Sequence, residues 1–415
     1  MILRLALMLL PAAAMPSVAA GTDADPATSL AGAACAAIAA RVDRHGGNDP
    51  LLLASWESGE DAIEPALATA AFVYDNALAV IALCACGRTP AALRIGRALR
   101  AAALAPTRLR NVLRAGPAEA APLPNGWWDA GAQRWNEDAQ QMGTATGNVA
   151  WVGLALLRLH AEDADPRWIE AAARLGRWVI EETRGGDRGF SGGIDGFDAA
   201  PRRLGWKSTE HNVDLVALFA ALAALDDDPR WPAARDRARR FVAAQWDAAA
   251  GHFVTGTLAD GVTPNRDTSG LDAQLWPLLL GDADPDWRRV MAWVVRAHGV
   301  DAGFDFNADR DGIWIEGTAQ AALVWRLLER PADARRALAV VARARSAGGW
   351  LYATREARVS TGLALGPDSR EADFHYYRRP HLGATAWAVL AALGVNPFDP
   401  ARSAAEPPRP LPVKP

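Results

Sequence analysis

The sequence predicts an all-α protein, a closed toroid of six helical hairpins. Three observations carry this. One type of apolar helix opening recurs six times, a second, amphipathic type of helix alternates with it, and the composition favours helix over sheet. Half of the 415 residues are hydrophobic, so a large core can be buried. Ala and Arg are abundant while Val and Ile runs stay short.

The recurring opening is a polar or glycine cluster followed by small apolar residues. Its copies are Tyr74-Asp75-Asn76, Thr146-Gly147-Asn148, Ser208-Thr209-Glu210-His211-Asn212-Val213-Asp214, Ser269-Gly270-Leu271-Asp272, Glu316-Gly317-Thr318-Ala319-Gln320 and Gly383-Ala384-Thr385. Each starts a run such as VALFAALAAL (216–225) or AVLAAL (388–393). Runs apolar nearly all round must be buried on more than one side. Their small side chains suit six helices converging on one axis.

Between them lie helices of a different kind: Ser29–Arg44, Pro90–Ala103, Arg167–Glu182, Trp231–Gln245, Trp287–Ala297 and Ala332–Arg345. Charges gather on one face and apolar residues recur at three- and four-residue spacing, the mark of one wet side. Asp165-Pro166, Asp228-Pro229 and Asp284-Pro285 supply start signals, an Asp that can cap and a Pro suited to the first turn. The inner openings fall roughly 45 to 75 residues apart, too irregular for a short-repeat solenoid. An open superhelix of helix pairs is the competing architecture.

The ends read differently. In residues 1–20 Arg4 is the one charge, Leu5 to Met15 is apolar, and Val18-Ala19-Ala20 offers small residues before a cut near Gly21. This is the pattern of a signal peptide, and the apolar run is too short to span a bilayer; a retained anchor is the competing reading. The mature protein is then expected in the periplasm or outside the cell, as a monomer. Residues 21–400 form a single toroid domain. From 401 to 415 five prolines and few large apolar residues predict a disordered tail.

Three cysteines are present. An oxidising compartment permits a bond from Cys35 to either Cys84 or Cys86, leaving one thiol. In a helix Cys84 and Cys86 point about 200° apart, so packing suits the pair better than a metal or redox site. A net charge of -4 and a pI near 6.0 exclude the basic footprint of a nucleic-acid binder. Trp is frequent, with 17 copies against 4 Tyr. These rings either fill helix junctions or stack on the C–H faces of sugars.

The phrases YDNALA, TGNVAW, STEHNVDL, WIEGTAQAAL and HLGATAWAVLAAL, with the spacing, resemble the six-hairpin glycosidase superfamily, the (α/α)6 toroids. The resemblance runs from about residue 29 to 398. It implies a substrate cleft at the mouth where the inner helices begin, but toroids of this type include hydrolases, polysaccharide lyases and sugar epimerases.

Helix N-termini aimed at one cavity offer unpaired N–H groups and positive dipole ends. Glu210 and Asp214 are four residues apart and share a helix face. With Glu316 they are the candidate catalytic carboxylates of a glycoside hydrolase acting on an oligo- or polysaccharide, Glu210 and Glu316 being the acid/base pair in either order. Asp75, Asp272, Gln320, His211, His381, Trp151 and Trp387 are the candidate substrate-binding residues. Capping accounts equally well for several of these positions. One tension is built in: a helix N-terminus lowers a carboxylate pKa, while a general acid needs it raised. His375, Tyr376, Tyr377 and Arg378 are placed to form a rim.

A polysaccharide lyase with a His381, His211 or Tyr74 base is the second reading, and a non-catalytic glycan-binding toroid the third. No cofactor and no metal are expected. Asn307-x-Asp309-x-Asp311-Gly312 starts like a calcium loop, but the twelfth place holds Thr318 rather than Glu. Counted from Asp305 that place is Glu316, with the glycine misplaced. A plain acidic turn fits better.

Overall fold

The computed structural model describes residues 26–58 and 63–401. The proposed signal peptide and all of the proposed tail except residue 401 lie outside the described residues. Twelve helices form the ring. The outer set is α1 (Pro26–Asp43), α3 (Thr89–Leu104), α5 (Pro166–Glu182), α7 (Arg230–Ala244), α9 (Val290–Ala297) and α11 (Pro331–Arg343). The inner set is α2 (Val73–Ala85), α4 (Thr146–Asp163), α6 (Thr209–Leu225), α8 (Leu271–Leu275), α10 (Ile315–Leu327) and α12 (Leu382–Leu393).

Each inner helix packs on the next around the ring, and α12 returns to pack on α2. That contact closes the circle and removes the open superhelix. Each inner helix also packs on the outer helix that follows it, while α1 packs on α12. Inner helices are buried along almost their whole length; in α12 every residue from Leu382 to Ala392 is buried. Outer helices bury one stripe, as Trp168, Ala171, Ala172, Leu175 and Val179 do in α5. The capping signals act as expected: the Asp165 carboxylate accepts the Arg167 N–H at 2.9 Å and Asp284 that of Asp286 at 2.9 Å.

The fourth hairpin departs from the pattern. α8 stops at Leu275, and Trp276–Leu279 continues as a 3-10 turn. Pro277 lacks the N–H an α-helix needs there and its ring crowds the preceding turn. Its outer partner likewise opens with a 3-10 turn, Pro285–Arg289, before α9.

Inner-to-outer connections are short, for example 86–88, 164–165 and 328–330. Outer-to-inner connections are long: 44–72, 105–145, 183–208, 245–270, 298–314 and 344–381. Short antiparallel pairs brace them, among them Trp127–Asp129 with Arg134–Asn136 and Arg358–Ser360 with His375–Tyr377. All the long segments therefore arrive at the end of the ring where inner helices begin. Long loops on a rigid scaffold are where binding residues concentrate.

Cys35 of α1 is bonded to Cys86, at the C-terminal cap of α2, across a sequence separation of 51. Cys84 is buried and free. Among the described residues no helix is long and apolar enough to cross a membrane.

Candidate active site at the mouth of the ring

The polar openings meet at the mouth because each occupies the same place in its hairpin. Asp75 lies in the first turn of α2, Glu210, His211 and Asp214 at the start of α6, Asp272 at the start of α8, Glu316 and Gln320 at the start of α10, and His381 at the N-cap of α12. Capping explains fewer of them than it could have. Ser208 caps α6, accepting the His211 N–H at 3.2 Å, which frees Glu210. Asp75 does not cap α2; it faces His381.

His381 is the hub on one side. Its Nε2 is 3.3 Å from Asp75 Oδ2, and its Nδ1 is 3.6 Å from Glu316 Oε2. The same Nδ1 lies 3.3 Å from the Ala384 N–H that it caps. A neutral ring serves the cap; a protonated ring serves Glu316. Burial would lower the His381 pKa, but the charge and hydrogen bond of Asp75 and the charge of Glu316 overcome it and leave it raised. Trp56, half-buried in the connection 44–72, stacks on this imidazole at 4.1 Å between centroids.

Glu316 is 1 % exposed. Its Oε1 accepts the Tyr74 O–H at 2.6 Å, and the Tyr74 oxygen accepts the Trp387 indole N–H at 2.9 Å. Burial pushes the Glu316 carboxyl up to about 7; the His381 charge opposes this, Asp75 adds to it, and the Tyr74 hydroxyl opposes it. Glu210, half-buried at the mouth, is also pushed up to about 7, by burial and then by the charge of Glu316. Asp272 is raised well above its usual range by burial, Glu210 and Glu316. Asp214 is raised by burial, Glu210 and Asp272, with the Trp151 indole opposing. His211 is held down to about 4 by burial and is neutral. The helix-dipole tension is thus settled in favour of desolvation: a dipole end is worth about 1 kcal/mol, less than the cost of burying a carboxylate charge.

The groups are brought close by two glycines. A Cβ on Gly383 would stand 2.6 Å from Asp75 Oδ1 and 2.8 Å from Glu316 Oε2. One on Gly147 would stand 2.5 Å from the His211 ring and 3.1 Å from Asp214 Oδ2. Gly317 serves packing instead, against Trp314 and Leu271.

Several polar atoms here lack a well-formed hydrogen bond: Glu316 Oε2 and His211 Nδ1 have none, while the Asp214 oxygens and Asp272 Oδ1 are approached only by the Trp151 indole and the Gln320 amide. Buried polar atoms are normally paired, so this set is shaped to meet polar groups that the chain does not supply.

Trp151 and Trp387 lie elsewhere than a stacking face. They are 1 % and 0 % exposed. With Trp276 and Phe398 they meet edge and face at 5.3–6.0 Å between centroids. Three alternate inner helical segments thus send a tryptophan to the axis and form the floor. The half-exposed aromatic residues at the mouth are Trp56, Trp206 (5.5 Å from the His211 ring) and Tyr376. Tyr376 sits on the strand His375–Tyr377, and its hydroxyl is raised well above the usual range by burial and by Glu316, Asp272, Asp75 and Glu210. Its ring lies 6.2 Å from that of His381 and 5.4 Å from that of Trp314, beside the cluster. Trp56 carries no helix-start motif that would have singled it out. Among the described residues, the acidic group that could hold a metal, Asp305, Asp309 and Asp311, precedes α10 and does not belong to this cluster.

A scan against family models matches none, and a comparison with curated proteins finds no relative. Solved structures do match. A wild-type glycosidase aligns at TM-score 0.60 and 17 % identity, covering 91 % of this chain and 100 % of that one. A glycosidase variant in complex with glucose aligns at 0.58 and 15 %, with the same coverage. The cellobiose 2-epimerase from Bacillus thermoamylovorans aligns at 0.61 and 9 %, covering 88 % and 98 %. The fold is the six-hairpin (α/α)6 toroid. At these identities the likeness speaks to the fold alone.

Proposed function

We propose that the protein is an exported carbohydrate-active enzyme, a glycoside hydrolase that cleaves an oligo- or polysaccharide with Glu210 and Glu316. The observation that carries this reading is two carboxyls at the starts of separate inner helices, both pushed up to about 7 by burial, with the charge of Glu316 acting on Glu210. Glycoside hydrolysis needs one carboxyl that stays protonated near neutrality to protonate the leaving oxygen, and a second, ionised one to attack or to activate water. Two such groups that cannot both ionise easily divide those roles. The poorly paired oxygens and amide around them suit sugar hydroxyls. The structurally similar proteins, a glycosidase and a sugar epimerase, agree with a sugar substrate.

The substrate is a neutral sugar. Five carboxylates gather here, Asp75, Glu210, Asp214, Asp272 and Glu316, and among the described residues His381, beside Asp75 and Glu316, is the base seen to pair with them. A uronate would add like charge to this cavity, which disfavours the lyase reading. Export is supported by the apolar segment Leu5–Met15 and by the Cys35–Cys86 bond, which persists in an oxidising compartment.

The test is a panel of neutral oligosaccharides with the wild type, Glu210→Gln and Glu316→Gln. Each substitution is expected to lower kcat by roughly 100- to 10,000-fold. Full activity in both variants would sink the assignment. A second reading, sugar epimerisation, is favoured by one observation: a neutral His211 and a raised His381 at the same mouth, a base and an acid for moving a proton at carbon. Deuterium incorporation from heavy water without bond cleavage, lost in His211→Asn, would decide for it.

A further inference from the structure

The loop between Phe304 and Ile313 gathers three carboxylates for which the hydrolase reading has no use. We propose that Asp305, Asp309 and Asp311 bind a calcium ion that ties the entrance of α10 to the strap 358–377.

Their ligand atoms all lie within 4.8 Å of one another. Two oxygens that share a calcium ion at about 2.4 Å each stand no farther apart than twice that distance, a condition that every pair of the three meets. The independent observation is Asp305. It is 0 % exposed, yet its Oδ2 has no hydrogen-bond partner. Its Oδ1 is engaged by the Phe306 N–H at 2.6 Å. Asp309 accepts the Asp311 N–H at 3.2 Å, and Asp311 accepts the Ser360 N–H at 3.0 Å. Each carboxylate is thus oriented by one backbone donor, and the buried one keeps a free oxygen among the others.

The His298 Nδ1 lies 3.2 Å from the Asp305 backbone carbonyl oxygen, not from its carboxylate. A hard divalent cation with carboxylate and water ligands satisfies all three carboxylates. Glu316 plays no part: its side chain turns to Tyr74 in the cavity, which rules out an EF-hand loop counted from Asp305.

The position gives the ion a task. The Phe306 carbonyl oxygen accepts the Leu271 N–H at the start of α8, and Phe304 accepts that of Trp314 just before α10. Asn307 reaches the Ser360 carbonyl oxygen at 3.3 Å, and Ser360 pairs with His375, next to Tyr376. The ion would brace three segments of the mouth, those carrying Asp272, Glu316 and Tyr376.

The experiment strips the full mature protein with EDTA and titrates it with calcium chloride, by calorimetry and by thermal melting. One equivalent is expected to bind and to raise Tm by about 3–5 °C at saturation. Asp309→Asn and Asp311→Asn, both at exposed positions, should lose that rise while matching wild-type Tm in EDTA. No heat and no Tm rise in wild type would overturn the proposal. An equal rise in both variants would overturn it too, as nonspecific. Should a variant fail to fold, the wild-type titration decides alone. None of these readouts depends on the sugar.

Discussion

The phenol of Tyr74 donates to Glu316 at 2.6 Å across 242 residues of chain, joining the first inner helix to the fifth. Trp387 of the sixth donates to the same phenolic oxygen. Glu316 is therefore held by groups from two other hairpins. Tyr74 stabilises the ionised carboxylate, so Tyr74→Phe should move the pH-rate limb belonging to Glu316 upward and lower kcat/KM about 10-fold. Steady-state rates across pH check this. An unshifted limb with a lowered rate would mean that Tyr74 only shapes the cavity.

Stability should fall as pH rises from 5 to 8. Glu210 and Glu316 are pushed up to about 7 in the folded protein, above the usual 4.5. Between those values the folded chain holds protons that the unfolded chain has lost, so raising pH favours unfolding. His381 acts in the same direction: raised above 6.5, its contribution is complete at low pH and lost as pH climbs through the folded value. Glu316→Gln should remove part of the slope and stabilise the protein at pH 8 by on the order of 1–2 kcal/mol, while activity collapses. Melting curves of both proteins at the two pH values are the measurement.

Gly383→Ala should be costly although alanine is the better helix former. Its methyl group would press on Asp75 and Glu316, and overpacking of this kind costs about 1–3 kcal/mol. Melting and activity should fall together. A variant of wild-type stability and activity would show that the cluster can spread.

Loss of the Cys35–Cys86 bond should lower stability by about 2–4 kcal/mol. Cys35→Ser and Cys86→Ser should have similar melting points, each near that of the reduced wild type. Cys84→Ser should keep the bond, as mass spectrometry under non-reducing conditions will read.

Much of the ring was legible in the sequence, because each inner helix repeats its opening. That repetition places Asp75, Glu210, Asp214, Asp272, Glu316 and His381 at one end once the circle closes. What was not legible depends on depth and on loops. Trp151 and Trp387 lie one turn inside, which says they are deep but not whether a cavity reaches them. Trp56 meets His381 through a connection with no periodic pattern. The choice between Cys84 and Cys86 turns on where α2 ends: Cys86 falls at its cap, beside α1, while Cys84 is still inside and faces the core. The raised carboxyl pKa values depend on burial, which spacing alone does not measure.

The tryptophan floor has a consequence for traffic. Trp151, Trp276, Trp387 and Phe398 seal the axis below the carboxylates, so the ring is a cup rather than a pipe. Under the proposed function, a sugar reaching the carboxylates would have to come and go on the side of the mouth, since the rings pack together on the other.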